Sequence, residues 1–340
     1  MAVSPRDSAA VLAQAAVTVG PLIRSRVSGL PPEIRHVAGL HFGWWNDDGA
    51  ALETAPAHKS VRPALTLLAC QAVGGRAEAA APAAVAVELV HNASLLHDDI
   101  IDHAPQRRGR PALWAAKGLP AAILAGDALF FTAVQTLADL PEASRTVPVL
   151  LACVQALIEG EYLDTLLEAT ADATEHQVLA VAAGKTGELL ACACELGAAA
   201  HNAGPERAGH LRAFGHHLGI AFQRMDDVLG IWGDQAVTGK PALSDLRARK
   251  MTLPVATAMT GDTPSARELR ALYRAQEPLT GEECLRAAEL IEKTSAREAT
   301  LERARQYTAD ALKHLDLAQP EPQAGAELTA LAELLTARDR

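Results

Sequence analysis

Apolar residues recur at three- and four-residue intervals along nearly the whole chain, and the strict alternation that marks strands is scarce. The pattern predicts helices over about residues 8–28, 33–43, 60–74, 81–102, 121–138, 144–170, 174–202, 206–231, 251–259, 264–274, 280–292, 295–315 and 325–337. Breakers are local: Pro31-Pro32, Gly74-Gly75, Pro105, Gly109 with Pro111, Gly118 with Pro120, Gly233, Gly239 with Pro241, and Pro254. The stretch 316–326, with Pro320, Pro322 and Gly325, reads as a loop before a last helix. No long low-complexity linker divides the 340 residues, so the expectation is all-α, one single-domain helical bundle over 1–340.

Composition supports helices over sheets. Hydrophobic residues make up 49% and aromatics only 4%, with Ala and Leu dominant. A net charge of -10 argues against a nucleic-acid partner, while leaving room for a local basic pocket that takes phosphate. Cys70, Cys153, Cys192, Cys194 and Cys284 are odd in number, lack CxxC spacing and mostly sit among apolar residues. They read as reduced core thiols of a cytoplasmic protein. No uninterrupted apolar run reaches the roughly 18 residues of a membrane span. Val147 to Ile158, the longest, is broken by Pro148 and Gln155. Asp7 and Gln14 make the N-terminal stretch an amphipathic helix rather than a signal peptide. No membrane span is expected, and a greasy substrate would have to be enclosed.

The candidate chemistry lies in two acidic segments, Asp98-Asp99-Ile100-Ile101-Asp102 and Asp226-Asp227-Val228-Leu229-Gly230. Taken singly, an Asp pair is more often a helix cap or a solvated face. Here both pairs lie in apolar helical stretches, where carboxylates are costly unless something cationic neutralises them. Magnesium does this with a few carboxylates plus substrate phosphates. Asp98 and Asp102 are one helical turn apart and share a face, with Asp99 beside them. Asp226 should point at the same cavity, with Asp227 beside it. One turn further on, Gly230 offers no ligand, and Asp234 stands two turns on. Basic clusters accompany these motifs: Lys59 and Arg62 at a helix start, Arg107-Arg108-Gly109-Arg110, Gly184-Lys185-Thr186-Gly187, and Gly239-Lys240 with Lys250. Helix-start amides, Arg forks and Lys point charges all suit phosphate.

This ordered set resembles the trans-isoprenyl diphosphate synthases, the polyprenyl synthetase family, and within it the geranylgeranyl diphosphate synthases. The matching residues are Lys59…Arg62-Pro63, Glu88…His91…Ser94-Leu95…His97-Asp98-Asp99…Asp102, Arg107-Arg108-Gly109, Gly126-Asp127, Lys185-Thr186, Phe222-Gln223…Asp226-Asp227, and Thr238-Gly239-Lys240…Asp245-Leu246…Lys250…Thr252-Leu253-Pro254. The resemblance implies a helical fold around a deep central cavity, usually in a homodimer. It implies head-to-tail condensation of an allylic diphosphate with isopentenyl diphosphate, dependent on Mg2+, with three ions when diphosphate is bound. Carried over by position, Asp98, Asp102 and Asp226 would ligate metal, with Asp99 and Asp227 in support. Arg107, Lys185 and Lys240 would grip the allylic diphosphate. Lys59, Arg62, His91 and Arg108 would hold isopentenyl diphosphate, and Lys250 belongs to the same matching set. Thr186 and Gln223 would border the reacting carbons.

Gly230 departs from the family pattern, which usually has a third aspartate there. Asp234 or water could compensate, and Gly230→Asp should then be tolerated. Ser60 and His58 depart from a common basic residue and a common glycine. Ala93 and Ser94, five and four residues before Asp98, leave room where farnesyl-producing relatives commonly carry a bulky aromatic. The implied product is geranylgeranyl diphosphate or longer, with Phe130 and Phe131 as candidate floor residues. Two rival readings are a class I terpene cyclase and a non-catalytic partner subunit of another prenyl synthase.

Overall fold

Helix is the expected outcome for a chain rich in Ala and Leu and poor in aromatics, and it dominates the computed structural model, which describes residues 5–52, 60–168, 173–235, 242–274 and 278–337. In chain order come α1 (Ser8–Ser28), α2 (Pro32–Phe42), α3 (Val61–Ala72), α4 (Ala77–Ile101), a two-residue hairpin of β1 (Gln106–Arg107) and β2 (Arg110–Pro111), α5 (Leu113–Lys117), α6 (Leu119–Ala138), α7 (Ala143–Glu168), α8 (Glu175–Ala182), α9 (Glu188–Ala199) and α10 (Pro205–Trp232). Ser244–Arg247, Leu253–Met259, Pro264–Arg274, Gly281–Lys293, Ala296–Leu317 and Pro322–Thr336 complete the helices.

The periodicity located nearly every long helix, and three local features depart from it. The segment expected as one helix over 174–202 is interrupted by a π-helical turn at Ala183–Gly187. The last helix begins at Pro322, inside the stretch read as loop. Proline suits a first helical position, because its missing N–H has no intrahelical partner there anyway. The breaker residues around Gly109 and Pro111 form a hairpin. It turns through Arg108 (φ 54°) and Gly109 (φ 73°), both left-handed, as a tight two-residue hairpin turn requires.

The described residues gather into two compact units. The first comprises Met1–Val154, Cys192–Arg212 and Leu317–Leu328; the second comprises Gln155–Ala191, Ala213–Asp316 and Thr329–Arg340. In the first, α4 packs against α3 and α6 and is buried along most of its length. Small residues make this possible: Ala80, Ala81, Ala83, Ala84, Ala86 and Ala93 let neighbouring helices approach closely. The second unit has its own core, which includes Val178, Ile231, Leu246, Leu253, Leu269 and Leu290. All five cysteines are buried free thiols, as the sequence suggested.

Helices α4, α6 and α7 are long and apolar enough, by length and composition, to cross a membrane. Counting uninterrupted runs missed them, because isolated polar residues such as Gln155 break a run without cancelling its mean hydropathy. In α4, 72% of the apolar stretch is spent against protein.

Within the first unit α9 lies hard against α3. A Cβ on Gly197 would fall 2.1 Å from the Thr66 carbonyl oxygen and 2.9 Å from the Ala69 Cβ. Because the obstacle is backbone, Gly197→Ala should cost about 3 kcal/mol, the upper end of overpacking penalties. A drop in the thermal midpoint, against a slightly raised midpoint for Gly209→Ala, an exposed helix position where a Cβ meets open space, checks this.

Candidate active site

The first acidic motif occupies the carboxyl end of α4. Asp98 and Asp99 lie in the last turn and Asp102 is the C-cap residue, its N–H donating to the Asp98 carbonyl at 2.8 Å. Negative charge is disfavoured at this end of a helix dipole, so the motif needs compensation. Arg107 supplies it from β1: its Nε donates to Asp99 Oδ1 at 2.6 Å and its Nη2 to Asp98 Oδ2 at 2.8 Å. The Asp99 side chain is only 1% exposed. Burial raises its pKa against the pull of Arg107, and its Oδ2 has no hydrogen-bond partner among the described residues. Asp98 keeps 20% exposure. The two adjacent carboxylates therefore differ, with Asp99 turned into the protein and Asp98 partly open.

A second cluster surrounds Glu88, a buried carboxyl whose pKa is raised by burial and pulled back by Arg62, Arg108 and the Asn92 amide. Asn92 Nδ2 donates to Glu88 Oε1 at 3.2 Å, and Asn92 Oδ1 faces His41 Nε2 at 3.1 Å. His91 is kept neutral: burial and the charges of Arg62, Arg108, Arg107 and His41 hold its pKa well below the usual histidine range. The structure thus brings together Arg62, His91 and Arg108, three of the residues expected at one diphosphate site. Cations outnumber the single buried carboxylate there, which suits an anionic ligand. Lys59 and Lys240 lie outside the described residues.

In the second unit the π-turn carries Lys185 and Thr186. Such turns are frequent at functional sites. It passes close to α7 through two glycines: a Cβ on Gly160 would lie 3.0 Å from Lys185 N, and one on Gly184 3.0 Å from the Ala156 carbonyl oxygen. The Lys185 ammonium consequently meets Glu161 at 2.8 Å and Asp164 at 2.7 Å. Sequence reasoning missed both carboxylates. Their spacing of three on one helix face was the available signal. Thr186 Oγ1 donates to Gln223 Oε1 and Gln223 Nε2 to Asp227 Oδ1, each at 2.8 Å. Asp227 Oδ2 accepts from the Leu253 N–H at 2.9 Å, at the start of helix Leu253–Met259. Burial pushes the Asp227 pKa up to about 7, opposed by these two hydrogen bonds. With both oxygens engaged, Asp227 supports its neighbours, and exposed Asp226 is the carboxylate left towards solvent. Lys250 lies in the loop just before Leu253, its carbonyl accepting from Tyr273 at 3.4 Å.

Gly230 is where the structure corrects the sequence most sharply. An ideal Cβ there would fall 1.9 Å from Asp245 Oδ2 and 2.5 Å from its Cγ. The place one turn beyond Asp226 is therefore filled by the carboxylate of Asp245, delivered from helix Ser244–Arg247. The position is thus not empty, and a side chain at Gly230 would have to displace the Asp245 carboxylate. The candidate floor also changes. Phe131 is 76% exposed and cannot close a cavity within the first unit. Phe130 lies on another face of α6, its ring 5.7 Å from that of His97. Ala93 is wholly buried, and Ser94 donates to the His91 carbonyl at 2.8 Å.

A family model for polyprenyl synthetase matches residues 50–291. The chain belongs to the polyprenyl synthetase family. It is 38% identical over 334 residues to a geranylgeranyl diphosphate synthase of Mycobacterium tuberculosis, covering 97% of this chain and 94% of that one. It is 36% identical over 338 residues to a (2E,6E)-farnesyl diphosphate synthase of Mycobacterium bovis, covering 98% and 94%. A crystal structure of a polyprenyl synthetase from Streptomyces coelicolor A3(2) superposes with a TM-score of 0.92 at 38% identity, covering 97% and 99%. A geranylgeranyl pyrophosphate synthase from Corynebacterium glutamicum, complexed with isoprenyl diphosphate and magnesium, superposes at 0.79 with 28% identity, covering 94% and 98%. The fold is that of the isoprenoid synthases, and the chain is a prenyltransferase of this family.

Two outcomes follow from this geometry. Gly230→Ala should lower turnover by displacing Asp245, and the added change Asp245→Ala should relieve the clash without restoring turnover. Steady-state rates alongside thermal midpoints of the single and double variants separate crowding from loss of the carboxylate. For His91, a depressed folded pKa means that the unfolded chain binds the proton first. Its contribution to stability is present above about pH 6.5 and is lost as pH falls below it. Wild type should thus lose up to about 1.4 kcal/mol per pH unit relative to His91→Gln between about pH 6.5 and 5, less where solvent reaches the ring. Denaturant titrations across that range check the slope.

Proposed function

We propose that this enzyme condenses an allylic diphosphate, dimethylallyl, geranyl or farnesyl, with isopentenyl diphosphate head to tail, releasing diphosphate. The observation that carries this reading is the Arg62, His91 and Arg108 cluster around buried Glu88. A cyclase acts on one allylic diphosphate and has no use for a second diphosphate cradle. The intact first motif argues against a non-catalytic subunit.

Magnesium fits the available groups. Asp98, Asp102 and Asp226 offer only oxygen, and among the described residues no three or more His, Cys, Asp or Glu side chains form a ready-made metal cage. Magnesium commonly takes few protein carboxylates and shares the substrate's phosphates. Asp98, Asp102 and Asp226 would hold it, three ions when diphosphate is present, with Asp245 beside Gly230 in support. When bound, it would neutralise the departing diphosphate. Arg107, Lys185 and Lys240 would bind the allylic diphosphate, and Lys59, Arg62, His91, Arg108 and Lys250 would serve the isopentenyl side. Neutral His91 can donate a hydrogen bond to phosphate without adding charge. The Thr186 and Gln223 oxygen dipoles would stabilise positive charge developing on the allylic carbon. The released diphosphate is the base for the final proton.

The product is geranylgeranyl diphosphate or longer, given the small side chains of Ala93 and Ser94 on α4. Both compact units serve as one functional domain, in a cytoplasmic enzyme with no membrane span. Exposed Leu119, Ile123, Leu124 and Phe131 on α6 suit the homodimer interface.

Labelled isopentenyl diphosphate with each allylic primer, followed by mass analysis of dephosphorylated products, tests this. Linear, elongated alcohols are expected, with twenty or more carbons dominating. Asp98→Ala or Asp226→Ala should lower turnover about 100-fold or more with helicity intact, and chelation should abolish it until magnesium is restored. Cyclic hydrocarbon would make the protein a cyclase, and no product with any primer would make it a partner subunit.

A further inference from the structure

The carboxyl end of α2 is built to receive a side chain from the hairpin. Gly43 (φ 72°) closes the helix with paired reverse hydrogen bonds, Gly43 N to Leu40 O at 3.1 Å and Trp44 N to Gly39 O at 2.9 Å. Arg110 of β2 then donates Nη1 to the Leu40 carbonyl at 3.2 Å and Nη2 to the His41 carbonyl at 2.9 Å. A Cβ on Gly43 would lie 2.6 Å from Arg110 Nη1, so the glycine leaves the space the guanidinium occupies.

Arg110 pairs directly with Arg107 across the hairpin, and Arg108 stands at the turn between them in a left-handed conformation. Arg107 has its own anchors in Asp98 and Asp99. Beside the hairpin lies a cavity of about 280 Å³, bordered by His41, Trp45, Arg107, Arg108, Arg110 and Leu113. Packing therefore leaves this side of the hairpin unfilled, and directional hydrogen bonds take on the task of fixing it.

We infer that Arg110 is a positioning residue: clamped to the end of α2, it sets where the Arg108 guanidinium stands and hence the affinity for the isopentenyl substrate. This rests on the assignment of Arg108 to isopentenyl diphosphate made above. Arg110 itself touches no substrate. Its effect is directional, because one rigid planar fork meets both carbonyls in a fixed geometry that a freely rotating ammonium does not impose.

The test is steady-state kinetics of Arg110→Ala, Arg110→Lys and Gly43→Ala with each substrate varied in turn, with thermal midpoints recorded. Arg110→Ala should raise KM for isopentenyl diphosphate about tenfold, with KM for the allylic diphosphate and kcat within about twofold. Arg110→Lys, which keeps the charge, should recover only part. Gly43→Ala should reproduce the defect from the other side of the contact. Full recovery by Lys, or an unchanged isopentenyl KM in either alanine variant, overturns the inference. So does a fall in kcat at constant KM, which is the mark of partial misfolding alone. Should Arg110→Ala not fold, Arg110→Gln, retaining one donor, decides by the same split. Wild type that elongates no primer would overturn the functional assignment instead, so the two failures are distinct.

Discussion

Carboxylates held in apolar helices are the constraint from which the rest of this structure follows. An unpaired buried charge costs several kcal/mol, and removing one partner of a buried pair costs about 3–5 kcal/mol. Asp99, at the disfavoured end of α4, is met by the Arg107 guanidinium. Glu88 sits among Arg62, Arg108 and Asn92. Asp227 is answered by the Gln223 amide and a helix N-terminal N–H, and Glu161 and Asp164 by Lys185. Each solution fixes a second element against the first, so the charge problem also dictates where the β1–β2 hairpin, the π-turn and the helix at Leu253 must stand.

The same pairs keep cations in place within each unit. Within the first unit Arg62 and Arg108 already stand together around Glu88, and within the second Lys185 is held by Glu161 and Asp164. A diphosphate bound as proposed would meet Arg62 and Arg108 without first having to gather them. Such preorganisation lowers the cost of binding and of meeting the transition-state charge. The neutrality of His91 belongs to the same balance, since a further positive charge among three arginines would be strongly opposed.

Glycines define where these contacts fit. Gly160 and Gly184 let α7 approach the π-turn, Gly43 makes room for Arg110, and Gly230 makes room for Asp245. At Gly230 a missing side chain on α10 and an additional one from Ser244–Arg247 are two halves of one arrangement. The space one turn beyond Asp226 is occupied by a carboxylate from another helix.

Much of this was legible in the residues. The 3.6-residue period gave the long helices, because an apolar stripe must be buried whatever its partner. The aspartate pairs announced cations, because their burial would otherwise be too costly. The spacing of Asp98 and Asp102 gave their shared turn. Other features depend on contacts between residues far apart in the chain, which periodicity does not encode. Asp245 lies fifteen positions from the glycine it overlies, and Arg110 lies about seventy from the carbonyls it clamps. The π-turn at Lys185 reflects packing on Gly160, and the outward direction of Phe131 reflects which face of α6 met α4. Local sequence thus determined the helices and the kinds of charge they carry. Tertiary packing alone decided which charges meet, because a side chain's partner depends on the approach of another helix and not on its own neighbours along the chain.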